Sequence, residues 1–453
     1  MPATATRIDD CLSIRDGRLW IEECDAVELA RRFGTPVYAV SEDQLRRNAR
    51  RIGAAFAANW PEGEVSLLPS LKANLSLALR RILNSEGLGC DTFGPGELHA
   101  ALASGIDPAR ISVNGSVKDA ALVTRAVEAR ARLTLDSAAE LDLVAAAAQT
   151  TGRTARIRLR LRPDYDRLDM PSDFDPSVTV RVGAHRYKPG IPLEQAGEVA
   201  RRALATPGVE LIGLMAHLGR HRADPEVWRG MAASFAAAVA RVCAELDGWR
   251  PEELDVGGGY PAPRDPIRAE PAPPIEDIAA ALTAGLRDGL TAAGIDPAGI
   301  RLEAEPGRSL YADTGIQLAT VRHVKEQAAP VPMRWVETDT TEMFMADLLI
   351  EHAHFQVVAA SRADAPEAQT ADVVGMSCGF DLLVPDARLP ALEPNDVLAF
   401  LDNGAYQDAC ASNFNGLPRP GTVLVSGSAA EWIKRPETVE DVFARDIVPE
   451  RLA

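Results

Sequence analysis

What this chain lacks narrows its possibilities first. No window approaches the roughly 18 uninterrupted apolar residues that a membrane-spanning helix needs, so a helical span is excluded. Positive charge is in deficit: 48 Lys and Arg stand against 65 Asp and Glu, a net charge of -17. Such a surface repels phosphate backbones and anionic bilayers, which argues against nucleic-acid and membrane partners. Cysteine is sparse and scattered, at positions 11, 24, 90, 243, 378 and 410. Without a CxxC pair, neither a zinc knuckle nor a thioredoxin-like motif is expected, and the thiols read as reduced. The opening "MPATATRIDD" has no basic n-region and no apolar h-region, so a cytoplasmic protein is expected. His352 and His354 in "HAHF" have no third ligand in view, so no metal site is expected.

What is present is an ordinary globular composition, 46% apolar and 25% charged, over 453 residues. That length exceeds one ordinary core and implies two domains, one of them a large barrel. From 64 to 308 short strand-like segments alternate with Ala-, Leu- and Arg-rich stretches of helical period. The strand candidates are "EVSLLPSLK", "GLGCDTF", "RISVNG", "RLTLDS", "RIRLRLR", "LIGLMAHLG", "ELDVGGG" and "RLEAEPG". Eight β/α units over roughly 250 residues predict an α/β fold, a (β/α)8 TIM barrel. The arginines of "RIRLRLR" are expected to face outward to the helices or to lie at the strand's ends. The polar stretch 162–190 reads as a long active-site loop, and the Pro-rich 261–274 as a surface excursion. Beyond 310, segments such as "IQLATVRHVKEQ", "DVLAFLDNGAY" and "GTVLVSG" read as short strands of a C-terminal β-domain. The expected organisation is therefore 1–40 contributing to the β-domain, for instance through "GRLWIEE", then 41–310 as the barrel and 311–453 as the β-domain.

In such barrels chemistry collects at the C-terminal ends of the strands. Those ends carry Lys72, Asp91, Asn114, Asp136, Arg162, His217, Gly257 to Gly259, and Glu305 with Arg308. Polar, ionisable or glycine residues occupy every one, which stability alone does not require. The glycines of "DVGGGYP" let the backbone approach an anion closely, and Gly307 beside Arg308 adds a second anion-binding strand end. A phosphate site near a barrel-mouth lysine suits a phosphorylated aldehyde that forms a Schiff base, namely pyridoxal phosphate. Glu305 is then available to keep the pyridine nitrogen protonated.

With "PSLKAN", "CDTFGPGELHAAL", "NGSVKD", "HLGRH", "DVGGGYP", "EPGRSLYADTG", "DNGAYQDACASNFNGLPRP" and "IKRPETVEDV", the chain resembles the diaminopimelate and ornithine decarboxylase family. These are the fold-type III pyridoxal phosphate enzymes, and the resemblance runs from about 17 to 446. It implies that Lys72 carries the internal aldimine, His217 stacks on the pyridine ring and Glu305 pairs with its nitrogen. Gly257, Gly258, Gly259, Gly307 and Arg308 would surround the phosphate, with Tyr406 reaching it from the β-domain, and Asp91 would position the lysine. Cys378 matches the cysteine that protonates the quinonoid after carbon dioxide leaves. In the family that cysteine comes from a partner subunit, so a homodimer with shared active sites is implied.

The chain also departs from the family's pattern. "HLGRH" places Arg220 where HIGSQ has a phosphate-binding serine, so Arg220 becomes a candidate for phosphate or substrate. "SCGFD" is one residue short between Cys378 and Asp381. Arg162 and Asp381 remain candidates for substrate binding. "DTTEMFMADLLIEHAHFQ" lacks the Arg and Tyr that hold the distal end of diaminopimelate, with Ala346 and Ile350 among the replacements. A bidentate guanidinium has no neutral substitute. The expectation is therefore a pyridoxal phosphate-dependent α-decarboxylase of an amino acid or derivative other than diaminopimelate. A racemase or epimerase is the alternative, and a non-catalytic regulator, as antizyme inhibitors are, the remote one. Glu305 argues against the racemase, because alanine racemases place an arginine at that nitrogen.

Overall fold

In the computed structural model, which describes residues 6–166, 168–172, 177–267 and 271–452, eight short strands pair in parallel between Val65 and Ala304. In chain order they are β1 (Val65–Leu67), β2 (Cys90–Thr92), β3 (Ile111–Val113), β4 (Arg132–Leu135), β5 (Ala155–Arg162), β6 (Val209–Met215), β7 (Glu253–Asp255) and β8 (Arg301–Ala304). Each lies beside its sequence neighbour and β8 beside β1, through Leu302 opposite Val65. A bridge from Ser70 to Asp91, with the Gly89 N–H donating to the Leu67 carbonyl at 2.8 Å, closes the ring between β1 and β2. This is the TIM barrel expected from the eight-fold alternation.

Strand alternation sends successive side chains to opposite faces. On β5 the outward face is apolar: Ile157, Leu159 and Leu161 are buried against the surrounding helices. Arg158 and Arg160 occupy the other face and are also buried, which corrects the expectation that these arginines point outward. The barrel interior supplies their counter-charges. Arg158 Nη1 lies 2.5 Å from Glu303 and 2.7 Å from Asp255, while Arg132 reaches Glu253 at 2.8 Å and Glu303 at 2.5 Å. Leu254 and Leu302 alternate with these carboxylates and are fully buried. Only Arg156, at the strand's start, is substantially exposed.

The helices between strands are ended by local chemistry. Asp119 caps Ala120–Ala129 by accepting from the Leu122 N–H, and Asp224 caps Pro225–Ala244 by accepting from the Glu226 N–H. Within the long loop after β5, Thr179 caps the short helix Val180–Arg186; residues 167 and 173–176 of that loop lie outside the described residues.

The chain divides into two compact units, the second comprising 48–263 and 271–310, which hold the barrel, and the first comprising 1–47, 264–270 and 311–453. The first unit is built on a nine-stranded sheet centred on the long strand Gly315–Gln327, with Val37–Ser41, Met333–Thr338 and Val397–Phe400 antiparallel to it. Val37–Ser41 is buried at every position and also pairs in parallel with Gly421–Ser426. It is the strand that the N-terminal segment adds to this sheet. The strand read in "GRLWIEE" is Arg18–Ile21, which sits in a small four-stranded sheet of the same unit. The Pro-rich stretch joins this unit through Arg264, which clamps Asp402 at 2.7 Å and Asp9 at 2.9 Å; its residues 268–270 lie outside the described residues. Among the described residues no helix is long and apolar enough to cross a membrane.

Candidate active site

The C-terminal ends of the barrel strands bring ionisable groups into one polar chain. After β1 the backbone turns through Leu71–Ala73; Leu71 and Ala73 are buried, which leaves the Lys72 side chain at the barrel mouth, 41% exposed. Its Nζ lies 3.5 Å from Asp91 Oδ2 and 5.6 Å from the centre of the Phe93 ring. Asp91 is buried and also accepts from the Ser70 hydroxyl. Its other oxygen accepts from Asn114 Nδ2 at 2.7 Å, and the same nitrogen lies 2.5 Å from Glu305 Oε1. Lys72, Asp91, Asn114 and Glu305 thus form one connected series across the mouth.

Burial, followed by the nearby charges of Asp255 and Asp91, pushes the Glu305 carboxyl well above the usual carboxylate range. Glu305 therefore holds a proton readily. His217, at the end of β6, is pushed down to about 3 by burial and then by the positive charges of Arg160 and Lys72, so its imidazole is neutral. Glu97 caps the Phe93 N–H at 2.6 Å and is raised to about 7 by burial and by Asp91.

A pyridoxal phosphate cofactor requires a cradle for its phosphate, and the residues present fit one. A Cβ on Gly258 would lie 2.0 Å from the Glu305 carbonyl oxygen, and one on Gly259 would lie 1.9 Å from that of Gly219. Gly257 and Gly259 both have positive φ, 70° and 88°. No side chain fits, so the backbone of this loop is bare where β6, β7 and β8 end. The Gly257 N–H is held by Asp255 Oδ1 at 2.8 Å. Among the described residues the N–H groups of Gly258, Gly259 and Gly307 have no hydrogen-bond partner. The hydroxyl of Ser309 is buried and likewise unpartnered. Arg220 follows β6 with its Cα 2.8 Å from where a Gly259 Cβ would sit, and Arg308 is buried beside Gly307. Donors and cations converge as an oxyanion needs.

Other candidate residues lie elsewhere. Arg162 turns away, donating to the carbonyls of Lys188 at 2.8 Å and Pro189 at 3.4 Å. Tyr406, Cys378 and Asp381 belong to the other unit. There Cys378 is exposed and accepts from Asn415 Nδ2 at 3.2 Å. Asp381 is buried and accepts from the Glu342 N–H, the Ser377 N–H and the Thr341 hydroxyl at 2.7, 2.6 and 3.0 Å. Its carboxylate ties its own loop to the Thr341–Glu342 segment. Ser70, Glu97, Arg160 and Asp255 carry no role in the expected site, and Asn114 stands in it only as a strand end. Glu97 and Asn114 do lie within motifs that carry the resemblance. Among the described residues no group of three or more His, Cys, Asp or Glu is placed to hold a metal.

A barrel with a lysine, a proton-holding glutamate and a bare glycine loop at its mouth defines a cofactor-dependent enzyme, and comparison gives its family. The family model described as "Pyridoxal-dependent decarboxylase, pyridoxal binding domain" matches residues 42–312. The chain belongs to the pyridoxal-dependent decarboxylases and is a pyridoxal phosphate-dependent carboxy-lyase. It is 31% identical to the diaminopimelate decarboxylase of Methanocaldococcus jannaschii, over 98% of each chain. It is 32% identical to that of Methanothermobacter thermautotrophicus, over 96% of this chain and 97% of the relative. The crystal structure of the M. jannaschii enzyme superposes with a TM-score of 0.89 at 30% identity, covering 98% of this chain and 99% of that one. A co-complex of the same enzyme with L-lysine gives 0.87 at 29% identity, with the same coverage.

These relatives overturn the expectation that diaminopimelate is not the substrate. That expectation weighed one segment against the whole chain. Phe344, Met345, Ala346 and Asp347 in that segment are buried, and Asp347 is held by Gln407 at 2.9 Å. The identities of these four report packing inside the β-rich unit and carry little information about a substrate, whereas Ile350, the other replacement, is exposed.

Proposed function

We propose that this protein decarboxylates diaminopimelate to lysine. The observation that carries the reading is the connected series Lys72–Asp91–Asn114–Glu305 beside the bare glycine loop, within a chain similar over its whole length to diaminopimelate decarboxylases. Bound pyridoxal phosphate supplies an electron sink for the pair left behind when carbon dioxide departs.

The chain's own residues do the rest. The N–H groups of Gly258, Gly259 and Gly307 and the Ser309 hydroxyl hold the phosphate, with Arg220 and Arg308 supplying positive charge. Lys72 is the amine nucleophile, and Asp91 orients it from 3.5 Å. Glu305 holds a proton for the ring nitrogen, and Asn114 fixes the Glu305 carboxyl in place. His217, neutral, offers an uncharged planar face. Cys378 gives a proton to the carbon that lost its carboxylate, and Tyr406 adds a phosphate contact; both roles rest on the family resemblance, as does a homodimer with shared sites.

The test is mass spectrometry of diaminopimelate incubated with cofactor-loaded enzyme in heavy water. Lysine carrying one carbon-bound deuterium, with release of carbon dioxide, is expected. Recovery of diaminopimelate with both carboxyls intact, while another amino acid is decarboxylated, would overturn the substrate.

A further inference from the structure

The barrel has a second cavity, at the end opposite Lys72. It has a volume of about 610 Å³ and opens at the N-terminal ends of β1, β3, β4, β5 and β8. Five arginines line it, Arg50, Arg110, Arg132, Arg156 and Arg301, together with three glutamates, Glu64, Glu86 and Glu303. In a chain of net charge -17 such a concentration calls for partners, and four of the five pair with carboxylates. Arg50 pairs with Glu86 at 2.7 Å, Arg156 with Glu252 at 3.0 Å and Arg301 with Glu253 at 3.1 Å.

Arg110 and Arg132 keep donors open. Arg110 donates Nη1 to the Gly87 carbonyl at 2.7 Å and has no carboxylate partner among the described residues. Arg132 is buried, 3% exposed, and makes both of its ion pairs through Nη1. Its Nε is buried without a partner, and no described residue accepts from Nη2. Nη2 is the donor that a ligand in the cavity can reach, since Nε is closed off from solvent. Leaving guanidinium donors unpaired in a buried site is unfavourable. Arg110 immediately precedes β3, and Arg132 lies on the adjacent β4, since Ser112 of β3 is paired with Arg132.

We propose that this cavity binds a small multivalent oxyanion, a phosphorylated or polycarboxylate metabolite, gripped by Nη2 of Arg132 and by Arg110. The volume falls within the range of small-molecule sites and exceeds what a lone phosphate fills. Barrel chemistry belongs to the opposite end, so a ligand here acts as an effector and not as a substrate.

Calorimetric titration of the cofactor-loaded enzyme with pyrophosphate, and separately with citrate, in a low-salt buffer free of other oxyanions tests this. Prior loading keeps the phosphate cradle at the barrel mouth filled. One saturable site per chain is expected, weakened about tenfold by Arg110→Gln and abolished by Arg132→Gln. Tighter pyrophosphate identifies a phosphorylated ligand, and tighter citrate a polycarboxylate. Arg110 is exposed, so Arg110→Gln stands as the test if Arg132→Gln does not fold. No saturable heat with either anion up to about 20 mM, or binding unchanged in Arg110→Gln, would overturn the proposal.

Discussion

Asn114 and Glu305 meet across the barrel mouth, the amide nitrogen of one 2.5 Å from Oε1 of the other. The same nitrogen is 2.7 Å from Asp91, so a neutral donor holds two acidic groups in fixed relation. Removing the Glu305 carboxyl without changing its shape isolates what its proton does. Glu305→Gln should retain cofactor and lose at least about a hundredfold in kcat, the scale of one general acid-base contribution. Absorbance of bound cofactor and steady-state kinetics check both halves. Undiminished turnover would remove Glu305 from the chemistry.

The same substitution has a signed consequence for stability. The folded-state pKa of Glu305 is raised, so its folded form keeps a proton that the unfolded chain releases. Its contribution is therefore fully present below the unfolded pKa, near 4.3, and is lost as pH rises towards the folded value. Cofactor-free Glu305→Gln should match wild type at pH 4 and exceed it increasingly towards alkaline pH. Thermal melts across that range decide it. Parallel curves for the two proteins would refute the shift.

His217 gives the opposite sign. Its imidazole is held near 3 when folded, against about 6.5 in an unfolded chain, so the unfolded chain alone takes up a proton between those values. Stability present above pH 6.5 should decline as pH falls towards 3. His217→Gln lacks this term, so the melting temperature of the cofactor-free variant should fall less steeply between pH 7 and 4. Equal slopes would contradict an imidazole held neutral in the folded chain.

Arg158 is fully buried among Glu253, Asp255 and Glu303. Arg158→Met removes the cation and leaves those carboxylates facing one another, so a loss of about 3 to 5 kcal/mol is expected. Urea unfolding followed by far-ultraviolet circular dichroism measures it. A loss below about 1 kcal/mol would mean that Arg132 alone balances the cluster.

How much of this could be read in advance follows from period and partnership. The eight barrel strands were legible because alternation and spacing are local properties, and Lys72 and Glu305 because strand ends are. Alternation on β5 identified two faces but not which of them points inward. That was decided by Glu253, Asp255 and Glu303 on β7 and β8, which no local pattern ties to Arg158. The cavity behind Arg132 was hidden for the same reason, being assembled from the ends of separate strands. The segment carrying Ala346 and Ile350 misled because a motif was read as substrate contact, although burial had set Ala346 and of the two only Ile350 is exposed.

The loop bearing Cys378 offers the last prediction. Asp381 accepts one hydrogen bond from Ser377 within this loop and two from Thr341 and Glu342, and its own backbone has a φ of 49°, so its carboxylate ties the turn to the Thr341–Glu342 segment. Asn415 then grips Cys378 twice, accepting from its N–H at 2.8 Å and donating to its sulfur at 3.2 Å. An exposed thiol so fixed is suited to proton delivery, and the shortened "SCGFD" spacing is accommodated by the turn. Cys378→Ala should lower kcat for diaminopimelate about tenfold to a hundredfold while KM stays within about twofold. Asp381→Ala should reproduce part of that loss by freeing the loop, without altering cofactor absorbance. A Cys378→Ala enzyme with wild-type kcat would assign the proton to another donor and leave Asp381 a purely structural role.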